Sequence, residues 1–253
     1  MPIVATGARC PAWVGAATLA ILLDLPRATT RDAGALRETR DAGSRVVVVT
    51  SGDALVSRSA ALGISVVPVD PEAGPAAGLG VSIVPVLVLL ERLRLVDGMS
   101  PAVSSVASQL QARHAALDAD LGAVEALARV LPGRVAIVTG AGAMGKHAAR
   151  RWVQEIDRVG GVAAVRRRLP TGPVDVETGV RLSEATTNGA QCSSCCATTS
   201  SRTASTAASR LVDDAFAEVH TFTAAGDGPL AQLLDLVLQG DAVAAAVVRQ
   251  TGA

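Results

Sequence analysis

The chain has 253 residues, 23 of them basic and 23 acidic, so its formal net charge is zero and no basic tail or stripe offers itself to nucleic acid. Apolar residues make up 49% and aromatic residues only 2%, so a core can form but must be built from Val, Leu, Ala and Ile. The longest apolar run, Val81 to Leu90, holds Ser82 and Pro85 and is too short to cross a bilayer, and no signal-type start is present, so a cytoplasmic protein with no membrane partner is expected.

Met1 to Thr6 reads as a short strand, and Pro11-Ala-Trp13-Val-Gly15 as a turn into a fully apolar strand, Leu19 to Leu23. A loop, Asp24 to Thr30, passes into a helix around Arg31 to Ala42. Arg45-Val-Val-Val-Val-Thr50 is the clearest strand. It leads through Ser51-Gly52-Asp53 into a helix from Ala54 to Leu62, and Ile64 to Val69 is another strand. Val81 to Leu95 reads as a buried helix, because Leu87, Leu90, Leu93 and Leu95 fall at helical spacing. Apolar strands alternating with helices imply a parallel sheet covered on both faces, an α/β fold.

Ser100-Pro-Ala reads as a turn. A helical stripe then runs from Val103 to Val130 through Leu110, Leu117, Leu121, Val124 and Leu127, with a break at Gly122; His114 in it reads as an exposed bystander. Arg134-Val-Ala-Ile-Val-Thr139 is a strand. The glycine box Gly140-Ala-Gly142-Ala-Met-Gly145 follows, then a helix from Lys146 to Arg158 and a strand from Gly161 to Val165 ending on Arg166, Arg167 and Arg168. No element is assigned to the Ser-, Thr-, Ala- and Cys-rich stretch from Thr186 to Ala208. Leu211 to Glu218 reads as a helix end and Val219-His-Thr-Phe-Thr223 as a strand. Pro229 starts a helix through Leu238, and Gly240-Asp241 begins the last one.

Two stretches carry candidate chemistry. Ser51-Gly52 after a strand can offer a hydroxyl and free backbone N–H groups to a phosphate at the next helix N-terminus; the plain alternative is a helix-capping serine. Gly140-x-Gly142-x-x-Gly145 between strand and helix fits a dinucleotide fingerprint, and the arginines at 166–168 would suit the 2′-phosphate of NADP. The plain alternative there is a tight strand–helix junction with no ligand. Three of the four cysteines, Cys192, Cys195 and Cys196, crowd together, but one spaced pair without a second makes no zinc site.

Taken together and in order, Pro11-Ala-Trp13-Val-Gly15, Arg45 to Gly52, Gly133 to Gly140 with Ala149-Arg-Arg-Trp152, and Gly226-Asp-Gly-Pro-Leu230 with Leu238-Gln-Gly-Asp241 resemble the landmarks of the bacterial and archaeal bifunctional phosphoglucose/phosphomannose isomerases. That family is built from two sugar isomerase (SIS) domains. The resemblance covers nearly the whole chain. It implies two SIS lobes, 1–98 and 132–253, joined by a helical connector at 99–131. It also implies a hexose 6-phosphate ligand, aldose–ketose isomerisation through an enediol, no cofactor, and a homodimer. Phosphosugar contacts then fall to Thr29, Ser51, Gly52, Gly140 and Gly142.

The residues the family uses for proton transfer are replaced. The position of its base glutamate holds Arg158, and the position of its ring-opening histidine holds Val174, with acids only at Asp175 and Glu177. Pro75 is followed by Ala76 where the family has an arginine. Its Ser-Tyr-Ser-Gly-Asn-Thr phosphate loop corresponds to Asp24-Leu-Pro-Arg-Ala-Thr29, which keeps only the threonine. The nearby acids Glu155 and Asp157 read as solvated, because one residue's shift on a helix turns a side chain about 100°. The readings in play are therefore an isomerase, a non-catalytic phosphosugar-binding protein, and an NADP-binding oxidoreductase. Cys192 to Ser201 also reads as a stretch whose codons have slipped out of frame with their flanks, and a similar slip lies across Leu22 to Gly34.

Overall fold

In the computed structural model the structure describes residues 3–5, 10–24, 32–70, 78–140, 142–167, 192–198 and 219–252. The chain divides into two compact units, Met1–Val103 and Ser104–Ala253.

The first unit holds β1 (Leu19–Asp24), α1 (Asp32–Asp41), β2 (Arg45–Thr50), α2 (Asp53–Ala61), β3 (Ser65–Pro68) and α3 (Gly78–Arg92). Its three strands are parallel in the order β1-β2-β3, with Leu19 opposite Arg45 and Val47 opposite Ser65. Leu36, Val48 and Leu55 form the core, with Leu22, Val46, Leu62 and Ile64 against it. Ile3 to Ala5 form no strand, and Ile3 is exposed. The helix expected to be buried, α3, is mostly half-exposed; Ser82 is its buried residue, and Leu93 and Leu95 just beyond it are exposed. Apolar spacing marks a helix, but a helix apolar on every side needs a covering surface beyond its own unit's sheet.

The unit boundary falls within α4 (Met99–Ala119). Ser100-Pro-Ala is the first turn of this helix, not a separate turn. The Glu91 carboxylate accepts the backbone N–H of Met99 (2.7 Å) and of Ser100 (3.0 Å), and the Ser100 hydroxyl donates to it as well. Those bonds, the hydroxyl's first, hold Glu91 below the usual carboxylate range. A side-chain acceptor on the free N–H groups of a helix start lets the chain turn from α3 into α4.

The second unit continues with α5 (Gly122–Val130), β4 (Val135–Gly140), α6 (Gly142–Arg158), β5 (Ala164–Arg167), β6 (Cys192–Thr198), β7 (Val219–Thr223) and α7 (Pro229–Thr251). Its sheet is parallel throughout, in the order β5-β4-β6-β7. The break expected at Gly122 separates α4 from α5. β5 begins three residues later than expected, because Gly160 and Gly161 close α6: Gly160 N–H donates to Glu155 O (3.2 Å), and Gly161 has φ 63°. The core gathers Val124, Leu127 and Leu131 from α5 and its end, Ala136 and Val138 from β4, Trp152 and Ile156 from α6, Phe222 from β7, and Val243 and Val247 from α7.

The break expected between Leu238 and Gly240 does not exist, and α7 is one helix of 23 residues. Gly240 is there for packing. A Cβ at this position would overlap the Trp152 indole, whose N–H donates to Leu236 O (2.6 Å) and whose ring meets Phe222 edge-on at 4.8 Å. Among the described residues α7 is the helix long and apolar enough to cross a membrane, yet 56% of that stretch is buried inside the protein, with Asp235 and Gln239 among its buried residues. It is placed as a core helix.

Gly240→Ala should cost about 1–3 kcal/mol by overpacking, and Trp152→Phe should cost stability by losing the hydrogen bond and leaving space. Combined in one chain they should cost less than their sum, since the smaller ring vacates the place the new methyl needs; urea denaturation of the four proteins measures that coupling.

Candidate functional site

Both units present the same local device, a buried strand ending in a threonine and a tight turn into a helix. In the first unit Thr50 is fully buried and its Oγ1 accepts the Gly52 N–H at 2.9 Å. Gly52, not Ser51, is the N-cap of α2. It has an extended backbone (φ −93°, ψ 117°) and no side-chain cap. The capping-serine alternative for Ser51 is therefore set aside. Ser51 lies half-buried one residue before that cap, at the carboxyl edge of the sheet. Asp53 occupies the first turn of α2, and its negative charge works against an anion there.

In the second unit the glycine box is the first turn of α6, which starts at Gly142 rather than at Lys146. A Cβ on Gly140 would collide with the Gly145 carbonyl and reach Lys146 N at 2.8 Å, so the strand end and the helix turn touch through backbone. Gly145 is buried in that contact. This close approach accounts for the first glycine by packing alone. The first turn of α6 carries no acid, and Lys146 and His147 are exposed just beyond it. Helix dipole and side chains then have the same sign, so α6 offers the better anion seat of the two.

Strand order points to the same place. From β4 the chain moves outward to β5, then returns to β6 on the other side of β4. Ligands of open parallel sheets bind outside the carboxyl ends of the strands where the winding reverses. Here that point lies between β4 and β6, where Gly140 stands opposite Ala197.

Ser51 and Gly52 come together at one turn, and Gly140 and Gly142 at another. Arg158 is not with the glycines: it ends α6, roughly 24 Å along the helix from Gly142 at 1.5 Å per residue. Thr29, Val174, Asp175 and Glu177 lie outside the described residues, as does Arg168. Arg166 and Arg167 are the last residues of β5, and Arg166 is exposed. His114 is exposed and pairs with Asp118 at 2.9 Å, an ordinary surface contact.

Glu155 corrects the expectation of a solvated acid. It is 3% exposed and held by two arginines: Arg151 Nη1 at 2.9 Å and Arg158 Nη2 at 2.7 and 2.8 Å. Its i−4 and i+3 neighbours on one helix face could have signalled this. Both of its oxygens are engaged by these arginines, so the side chain is tied to the α6 surface. Asp157, by contrast, is exposed as expected. Arg151 also faces Asp241 on α7, but at 3.6 Å, too long for a good hydrogen bond. Burial, first of all, pushes Asp241 up to about 6; Arg151 counters that and Glu155 adds to it.

A second buried cluster was not read from the sequence. Asp235, fully buried, accepts the Ala225 N–H (2.8 Å) and the Gln239 amide (2.7 Å) on Oδ2, while Arg113 Nε stands 3.0 Å from Oδ1. Gln109 Nε2 donates to Ala225 O at 3.1 Å. These contacts fix the β7–α7 loop at the carboxyl edge. The spacing of Asp235 and Gln239 by four residues was the available signal; their partners, more than a hundred residues away in α4, were not visible.

With this geometry in place, the solved structures give the fold a context. No protein-family model matches the chain, and no curated protein matches it. A glucose-6-phosphate isomerase-like protein of Thermus thermophilus superposes with a TM-score of 0.56 at 16% identity, over 98% of this chain and 86% of that one. Tagatose-6-phosphate ketose/aldose isomerase of Escherichia coli gives 0.60 at 12% identity, over 95% and 70%. Glucosamine-6-phosphate deaminase of Thermotoga maritima gives 0.63 at 10% identity, over 99% and 73%. The fold is that of the sugar-phosphate isomerases.

The buried carboxylate of Asp241 sets a pH dependence. Its folded pKa, about 6, lies above the ordinary 3.8, so its favourable contribution is full below about 4 and is lost as pH rises through about 6. Asp241→Asn, which stays neutral, should therefore be more stable than the parent at pH 8 by roughly 2 kcal/mol, and the gap should shrink as pH falls through about 6 and close by about pH 4. Denaturant melts of both proteins across that range measure it.

Proposed function

We propose that this chain is a phosphosugar-binding protein of SIS type, made of two sugar isomerase lobes at 1–98 and 132–253 joined through 99–131, whose ligand is a hexose 6-phosphate such as glucose, mannose or fructose 6-phosphate. The observation that carries the reading is the α6 N-terminus, where a strand–glycine turn lies at the point of winding reversal of a sheet whose fold is shared with sugar-phosphate isomerases. The phosphate is assigned to the backbone of Gly140 and Gly142 with Lys146 and His147 nearby. Thr29, Ser51 and Gly52 are assigned to the corresponding device of the first lobe. Phosphate recognition of this kind needs backbone N–H groups and a positive helix end, and no cofactor.

Isomerisation is the inherited chemistry in this reading, and binding without turnover is the present one. Proton transfer between C1 and C2 needs a carboxylate free to accept a proton within hydrogen-bond reach of the sugar. Where the resembled isomerases place that base this chain has Arg158, and the neighbouring Glu155 is neutralised by two arginines. The NADP reading is the weaker one, since packing already explains Gly140. A homodimer in the cytoplasm completes the proposal. The half-exposed apolar surface of α3 supports self-association.

Fructose 6-phosphate near a hundredfold over its dissociation constant should raise the melting temperature by roughly 5–10 °C, and NADPH should leave it unchanged. Lys146→Glu should abolish the response to the sugar phosphate. A shift with NADPH alone would overturn the reading in favour of the oxidoreductase. A coupled isomerase assay on the purified chain should give no turnover above background; measurable turnover would restore the catalytic reading.

A further inference from the structure

β6 lies between β4 and β7 and runs parallel to both. α6 packs against it as well as against β4 and β5. Inner strands of helix-covered parallel sheets are runs of Val, Ile and Leu. β4 obeys that rule with Val-Ala-Ile-Val-Thr-Gly, nearly all of it buried. β6 reads Cys-Ser-Ser-Cys-Cys-Ala-Thr and contains no Val, Ile, Leu or Phe.

The genetic code connects the two patterns. Codons with thymine in the middle all specify apolar residues: Phe, Leu, Ile, Met or Val. Cysteine codons, and the TCN codons of serine, carry thymine in the first place. Read one base earlier, every one of those thymines moves to the middle. The stretch from Cys192 to Cys196 then encodes an unbroken apolar run, whichever synonymous codons of these sets are used. Alanine and threonine codons behave differently. The shifted codon spanning Cys196 and Ala197 has guanine in the middle and encodes Cys or Arg, and the next two, across Ala197-Thr198-Thr199, have adenine there and encode Tyr, His, Asn or Asp. The apolar run thus ends at Cys196 and gives way to polar-coding codons over the last two residues of β6.

We infer that the codons of this segment are out of frame with their flanks, and that the in-frame product carries an apolar inner strand whose end beside Gly140 bears Cys or Arg followed by Tyr, His, Asn or Asp. β5 before it and β7 after it have ordinary strand composition, so the slip is compensated between Arg167 and Val219. The strand end faces the winding reversal at Gly140, where Ala197 now stands. The in-frame chain therefore gains a hydrogen-bonding side chain at the edge assigned to the sugar phosphate. That consequence rests on the proposed ligand; the frame inference does not.

Sequencing the coding DNA between Arg167 and Val219 tests it first. TCN codons at Ser193 and Ser194, with no stop one base upstream across the segment, are expected; AGC or AGT codons there, or a stop, would overturn it. A gene re-framed through this segment by one base, with a compensating base before Val219, should give a protein whose melting temperature is higher by on the order of 10 °C. An equal or lower melting temperature, or failure to fold, overturns the inference. A higher melting temperature without response to fructose 6-phosphate supports the frame inference and overturns the ligand reading.

Discussion

The second unit depends on one side chain, the indole of Trp152. It is fully buried between α6 and α7, donates to the backbone of Leu236, meets Phe222 edge-on and requires the missing side chain at Gly240. In a chain with 2% aromatic residues this ring does what several would do elsewhere. Its hydrogen bond fixes the height of α7 along α6, and its contact with Phe222 ties both helices to β7. A large ring with a satisfied polar tip combines apolar burial with a directional contact, which the aliphatic residues around it cannot supply.

Next to that ring the same two helices meet through charge. Arg151 and Glu155 flank Trp152 on α6, and Asp241 follows Gly240 on α7. Two acids share one partly buried guanidinium, with Arg158 completing the balance on Glu155. A buried ion group of this kind contributes little net stability but penalises other registers strongly, because any slip leaves a charge unpaired. The group also bears on chemistry. An acid close in sequence to Arg158 looks like a candidate for chemistry, yet Glu155 is engaged by Arg151 and Arg158 on its own helix.

The parts of the fold legible in the sequence were those whose reasons are local. β2 and β4 stand out because each is an apolar run closed by a threonine and followed by a turn. What was misread had its cause elsewhere in the chain. Gly240 looked like a helix break because glycine costs a helix about 1 kcal/mol, and its explanation sits on Trp152. The start of α6 was read late because glycines resemble a loop, whereas Gly140 and Gly145 touch. The helical spacing of its leucines marks α3 as buried, which reports that the helix needs cover but not that its own unit provides it. At the candidate site the glycine turns were legible and the clamp of Asp235, Gln239 and Arg113 on the β7–α7 loop was not, since Arg113 comes from α4, far away in the chain.

The position of β6 is best understood from its neighbours. β4 already pairs with β5 on one side, and β7 has α7 following it. If the space between β4 and β7 stayed empty, two rows of backbone N–H and C=O groups would face each other unpaired, each costing about 1–3 kcal/mol if buried. Parallel ladder hydrogen bonds are made by backbone and are indifferent to side chains, so a strand of any composition closes that gap, and Cys192–Ala197 is in register with Val135–Gly140. Side chains decide instead whether the closed sheet also gains the apolar burial that an inner strand normally brings. Topology therefore demanded a strand where the residues argue against one, and that conflict between ladder and composition, rather than any single motif, marks the segment as foreign to the fold around it.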